Sequence, residues 1–177
     1  WAVCSASFSG ESVKLKPITR EAIPAALERA HRYRLLNQPL QAESICLDVL
    51  AVDEKNAEAL TTLFLALTDQ FARKIQPAFD RASRILPMFP DAYARIYYEG
   101  ILCERRGKAH FRSGSPMAGA MAFEWLQRAM ALYDRAEALR PPGDDDAVLR
   151  WNSCARMMMD NERIQPRTED GAESMLE

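Results

Sequence analysis

The chain has 177 residues, 48% hydrophobic and 27% charged, which is enough to bury a core and excludes global disorder. Its formal net charge of −2 provides no overall basic field, so we predict no nucleic-acid partner. No run approaches the roughly 18 consecutive apolar residues of a transmembrane helix, so we predict no membrane partner.

Proline, glycine and short polar runs divide the chain into segments with helical periodicity. In the first segment, Ala26, Ala30 and Tyr33 recur at steps of four and three, and Pro24 lies in the first turn. No segment shows the sustained alternation of a half-buried strand. We predict seven helices, at about residues 20–36, 40–52, 57–71, 74–86, 91–111, 116–139 and 144–159.

The two ends of the chain differ from this helical part. Residues 1–18 are predicted to be disordered or vector-derived, because Trp1 is not a natural start and the first residues are small and polar. Residues 161–177 combine Pro166 with acids and few apolar residues, which predicts an acidic flexible tail. The predicted domain of residues 19–160 comprises hairpins at about 20–53, 57–88 and 91–140, and a terminal helix at 144–160.

Small and large residues recur in a fixed order in the third hairpin. They are Ala129, Tyr133, Ala136, Leu139 and Pro141. Gly100 and Gly107 precede them seven residues apart, and residues 42–59 carry a similar pattern with Glu54 at a usual proline position. These features resemble the tetratricopeptide repeat family, in divergent form. The resemblance implies an all-α fold, with antiparallel hairpins stacked as a short right-handed α-solenoid of about seven helices.

The spacing of the units is uneven. Glu54 and Pro90 are 36 residues apart, close to the roughly 34-residue period of the family. Pro90 and Pro141 are 51 residues apart, and the extra residues fall between Lys108 and Glu124. We expect this insertion to lengthen both helices of the third hairpin.

The resemblance also implies a function, because arrays of this family usually bind peptides in a concave groove lined by their first helices. The family's clamp for chaperone C-termini is absent, since Leu27, His31 and Thr62 occupy positions where it needs Lys, Asn or Arg. The implied groove residues are His31, Arg34, Thr61, Thr62, Leu65, Tyr97, Tyr98, Ile101, Arg105, Asn152 and Arg156. We predict a non-catalytic adaptor or scaffold that binds a protein or peptide.

The residues that could carry catalysis or bind a metal show no recognised pattern. His31 and His110 are the two histidines, and no hydrolase, phosphate-loop or dinucleotide motif occurs. The four cysteines are about fifty residues apart, without a CxxC pair, so we predict no metal and no cofactor. This spacing also favours a reducing, cytoplasmic location.

Two alternative functions remain open. The terminal helix carries Trp151 and the run Met157–Met159, which favours a structural subunit that forms a homodimer through this helix. The other alternative is an enzyme with an unrecognised site.

Overall fold

The computed structural model describes residues 13–72 and 75–167, and the backbone of residues 7–8 and 11–12. Seven α-helices lie in this part of the chain, as predicted, joined by short 3₁₀ segments. Within the N-terminal segment predicted to be disordered, Ser7–Phe8 and Glu11–Ser12 pair as antiparallel strands; residues 1–6 and 9–10 lie outside the described residues. The helices are α1 (Ile23–Leu35), α2 (Pro39–Val52), α3 (Ala57–Asp69), α4 (Ile75–Ser83), α5 (Ala92–Ser113), α6 (Ala118–Glu137) and α7 (Asp146–Met159).

Local side-chain chemistry explains where several helices begin and end. Asn56 and Asp91 accept hydrogen bonds from backbone N–H groups in the first turns of α3 and α5, at 2.9 and 2.7 Å. Gly114 ends α5 with a left-handed φ of 67°. Helix α4 ends three residues before the predicted position, because Pro87 lacks an N–H donor and disfavours helical geometry at Leu86.

Consecutive helices pack against each other, and the first helices of the three hairpins, α1, α3 and α5, also contact one another in sequence. Small residues allow the close approach of α5 and α6. A Cβ atom at Gly100 would lie 2.5 Å from Cε1 of Tyr133, a fully buried ring. The contacts of α1 with α3 and of α3 with α5 place these three helices side by side.

The third hairpin is longer than the others. Helix α5 has 22 residues and α3 has 13, a difference of nine, or about 13 Å at 1.5 Å per residue. Arg105 lies level with the end of α3, because its guanidinium donates to the Thr68 hydroxyl at 2.8 Å. Residues 108–113 of α5 consequently extend beyond α3, as the predicted insertion implied.

Residues 161–167 differ from the predicted flexible tail, because they fold back onto the helices. Ile164 is only 4% exposed and belongs to the hydrophobic core. The Arg163 carbonyl oxygen passes so close to Gly119 of α6 that a Cβ atom there would lie 1.8 Å from it. The packed domain thus extends to Ile164, and residues 168–177 lie outside the described part of the chain.

Candidate peptide-binding groove

A long groove runs across α1, α3 and α5 and has a volume of about 1320 Å³. The N-terminal end of α4 and Arg150 of α7 complete its lining. The extension of α5 beyond α3 forms one wall of the groove and contributes Lys108, Ala109, Arg112 and Ser113. The lengthened α5 of the third hairpin therefore contributes part of the groove lining.

Asp69, at the end of α3, connects all three first helices. Its carboxylate accepts a hydrogen bond from Arg34 Nε of α1 at 2.9 Å and pairs with the Arg105 guanidinium of α5. These three side chains are between 21% and 25% exposed, so water screens them only in part. Near the other end of the groove, His31 and Thr62 form a second link between α1 and α3, with 2.7 Å between Nε2 and Oγ1.

Asp69→Asn removes the charge shared by two guanidinium groups while keeping the side-chain shape. We expect it to lower the free energy of unfolding by about 1–2 kcal/mol, because two partly buried guanidinium groups then face a neutral amide instead of a carboxylate. Urea denaturation measures this change. The exposed Asp134→Asn on α6 is the matched control, and equal stability of the two variants would contradict the role of Asp69.

Glu104 lies on the floor of the groove and is 1% exposed. Lys108 Nζ and Arg150 Nη1 lie 2.5 and 3.4 Å from its Oε1 atom. The Tyr133 hydroxyl donates a hydrogen bond to its Oε2 atom at 2.6 Å. This buried carboxylate is therefore fully paired, as a buried charge must be, and it ties α5 to α6 and α7.

Burial raises the pKa of Tyr133 far above its usual value, and the neighbouring Glu104 carboxylate raises it further. Burial also raises the pKa of Tyr97, although Arg150 opposes the shift. The Tyr133 hydroxyl therefore keeps its proton, and its hydrogen bond to Glu104, even in alkaline solution. Glu104, Tyr133, Lys108 and Arg150 thus form one connected polar network at the floor of the groove.

The structure brings six of the eleven predicted groove residues together in the lining, and they come from α1, α3 and α5. These six are His31, Arg34, Thr61, Thr62, Leu65 and Arg105.

The other five predicted groove residues lie outside the lining, and those on α5 are packing residues. Tyr97 and Ile101 are 9% and 2% exposed and belong to the hydrophobic core, where the Tyr97 ring lies 6.0 Å from the Tyr133 ring of α6. Tyr98 stacks on Phe89 with ring centroids 4.3 Å apart. Their assignment to the groove is therefore corrected.

On α7, Asn152 and Arg156 share a helix face with Leu149 and Met159, which are 63% and 81% exposed. Neither Asn152 nor Arg156 lines the groove, and Arg150 does so instead. The α7 residues were therefore assigned to the wrong face.

Several lining residues were missed in the sequence, above all Glu104, Lys108 and Arg112. A usable signal existed for Glu104, since it lies four residues after Gly100 and three before Gly107, on the face where small residues predict close packing. A carboxylate at such a position implies buried partners.

Cys46, Cys103 and Cys154 are buried and unbonded. Burial raises their thiol pKa values from 9.0 to about 12, 11 and 12. They are therefore protonated and inaccessible, the opposite of an activated nucleophile. Among the described residues, no group of three or more His, Cys, Asp or Glu side chains is placed to hold a metal ion.

These thiols predict a loss of stability in alkali. Since each folded-state pKa lies above the unfolded value, the unfolded chain releases protons first, and the stability contribution is lost as the pH rises from about 9 towards 12. We expect the melting temperature to fall over this range and thiol-reactive reagents to label the three residues only after unfolding. Peptide mapping of the labelled native chain checks this, and rapid native labelling of Cys46 would contradict it.

No protein-family model, curated protein or solved structure matches this chain. Within the described residues, no helix is both long and apolar enough to cross a membrane.

Proposed function

We propose that this chain is a non-catalytic interaction module, an adaptor or scaffold, that binds a peptide or partner helix in the groove across α1, α3 and α5. The observation that carries the proposal is the convergence of six expected contact residues on one groove formed by the first helices. The proposal includes a tetratricopeptide-like solenoid, supported by the contacts of α1 with α3 and of α3 with α5. A cytoplasmic location remains part of the proposal.

The size and chemistry of the groove favour a polypeptide ligand. Its volume of about 1320 Å³ exceeds the roughly 300–1,000 Å³ that is usual for small-molecule sites. Thr61 offers a hydroxyl to peptide groups, while Leu35 and Leu65 offer apolar contact. The protonated cysteines and the fully paired Glu104 provide neither a nucleophile nor a free general base.

A peptide-display selection against the wild-type chain, followed by two matched variants, tests this proposal. Thr61→Trp fills the groove with a neutral ring, and Ala131→Trp places the same ring on the exposed face of α6. Selected peptides should bind Thr61→Trp at least about tenfold more weakly than wild type and bind Ala131→Trp unchanged. Equal binding to both variants, with circular dichroism showing both folded, would reject the groove as the site.

Self-association through α7 is the second candidate, and one observation favours it. Leu149 and Met159 are 63% and 81% exposed on the same face of the terminal helix, where a further hairpin would stack in a longer array. Sedimentation equilibrium distinguishes this function. A dimer that dissociates in Leu149→Glu/Met159→Glu would support it, and a monomeric wild type at high concentration would reject it.

A further inference from the structure

The groove carries a surplus of positive charge. Among the described residues, five cationic side chains and two carboxylates line it, a surplus of three, although the whole chain has a net charge of −2. The cations are Arg34, Arg105, Lys108, Arg112 and Arg150, and the carboxylates are Asp69 and Glu104. Low-dielectric walls concentrate such a local field, so the groove attracts anionic groups even though the chain as a whole does not.

Three of these cations form a row on α5, which we name the α5 cation row: Arg105, Lys108 and Arg112. Steps of three and four residues place them on one helix face, about 4.5 and 6 Å apart along the axis at 1.5 Å per residue. In an extended peptide, side chains on the same face repeat at about 6.6–6.8 Å. Carboxylates at alternate positions of a peptide that lies along α5 therefore match the step from Lys108 to Arg112 to within about 1 Å.

The two carboxylates of the groove hold these cations in place without neutralising them. Arg34 and Arg105 share Asp69, and Lys108 and Arg150 share Glu104, so each cluster retains one positive charge. Arg112 is exposed on the rim. Because the fixed carboxylates already order four of the cations, a ligand carboxylate binds with less loss of side-chain entropy.

The remaining lining favours an acidic polypeptide over nucleic acid. Single-stranded nucleic acid needs accessible aromatic rings for base stacking. Of the two rings in the described lining, Phe71 is 3% exposed and the His31 imidazole is held by Thr62 at 2.7 Å. The lining also contains aliphatic side chains. Leu65 and Ile75 are partly buried, and Leu35 is 88% exposed. Leucine-like side chains of a peptide can pack there between its carboxylates.

We infer that the groove binds an acidic segment of a partner protein, in extended form, with alternate carboxylates against the α5 cation row and aliphatic side chains against Leu35 and Leu65. This inference rests on the proposed function, since it names the ligand class of the same groove. Salt should weaken the complex, because the rim cations are exposed to screening.

Fluorescence anisotropy tests the inference with two end-capped, fluorescein-labelled peptides, one with Glu at every second position and Leu between, the other with Gln replacing each Glu. The Glu peptide should bind the wild-type chain at least about tenfold more tightly than the Gln peptide. Lys108→Glu/Arg112→Glu should lose this difference, whereas Arg84→Glu/Arg135→Glu, at exposed positions outside the groove, should keep it. Arg112→Glu alone serves as a second variant, since Lys108→Glu places a like charge beside Glu104.

Equal binding of the Glu and Gln peptides, or equal loss in the groove and control variants, would overturn the inference. If display-selected neutral peptides bind the wild-type chain but bind Thr61→Trp more weakly, the proposed function survives and only the ligand class is wrong. If neither kind of peptide depends on the groove, both proposals fail. Tighter binding of the Glu peptide after Glu169→Gln/Asp170→Asn/Glu173→Gln would make the chain's own acidic segment the occupant and overturn the assignment to a partner.

Discussion

Replacing Glu104 with alanine is expected to lower the free energy of unfolding by about 3 kcal/mol. The substitution leaves the buried Tyr133 hydroxyl without its acceptor and removes the shared partner of Lys108 and Arg150. Both cations keep partial access to water, at 26% and 35% exposed, which limits the cost of losing the pair. Urea denaturation monitored by circular dichroism measures the change.

Glu104→Gln is the matched control for this prediction. Its amide oxygen still accepts the Tyr133 hydroxyl hydrogen bond, so we expect roughly half the loss seen with alanine. In the Glu104→Ala background, Tyr133→Phe should then lower the free energy of unfolding only slightly, because the hydrogen bond between the two side chains is already lost. An alanine variant within about 0.5 kcal/mol of wild type would show that this network does not stabilise the fold.

Gly119→Ala should lower the free energy of unfolding by about 2 kcal/mol, although alanine normally favours a helix over glycine by about 1 kcal/mol. The new Cβ atom would lie 1.8 Å from the Arg163 carbonyl oxygen, a backbone atom. Residues 161–167 must therefore move away, and Ile164 leaves the core. The sign of the effect is thus the opposite of that expected from helix propensity alone.

Limited trypsin digestion gives this prediction a local readout. Cleavage after Arg163 should accelerate in Gly119→Ala, because the released segment enters the protease more readily. Ile164→Ala should accelerate the same cleavage. The double variant should lose less free energy of unfolding than the sum of the two single losses. Stabilisation of the chain by Gly119→Ala would contradict the observed packing of residues 161–167.

Much of the helical organisation could be predicted because the breakers are strong. Asn37 to Pro39 and the loop around Gly114 mark helix ends by their own backbone chemistry, whatever the tertiary contacts. The interval of 51 residues from Pro90 to Pro141 likewise predicted the long third hairpin, which became the groove wall.

Other features depend on tertiary contacts that periodicity does not encode. Tyr97, Ile101 and Arg105 follow at steps of four on one face of α5, yet the first two are buried and Arg105 lines the groove. Packing against other helices decides this difference, as for Tyr97 against Tyr133 of α6, and nothing local to α5 specifies it. Ile164 is a single apolar residue in a polar segment, so no pattern predicts its burial.

Nuclear magnetic resonance mapping of the amide groups, with a display-selected peptide added to the wild-type chain, tests the central claim most directly. We expect chemical-shift changes concentrated around His31, Thr62, Asp69 and Arg105, which line the groove on α1, α3 and α5. Changes confined to the outer face of α7, around Asn152, or to the exposed surface of α6 would contradict it.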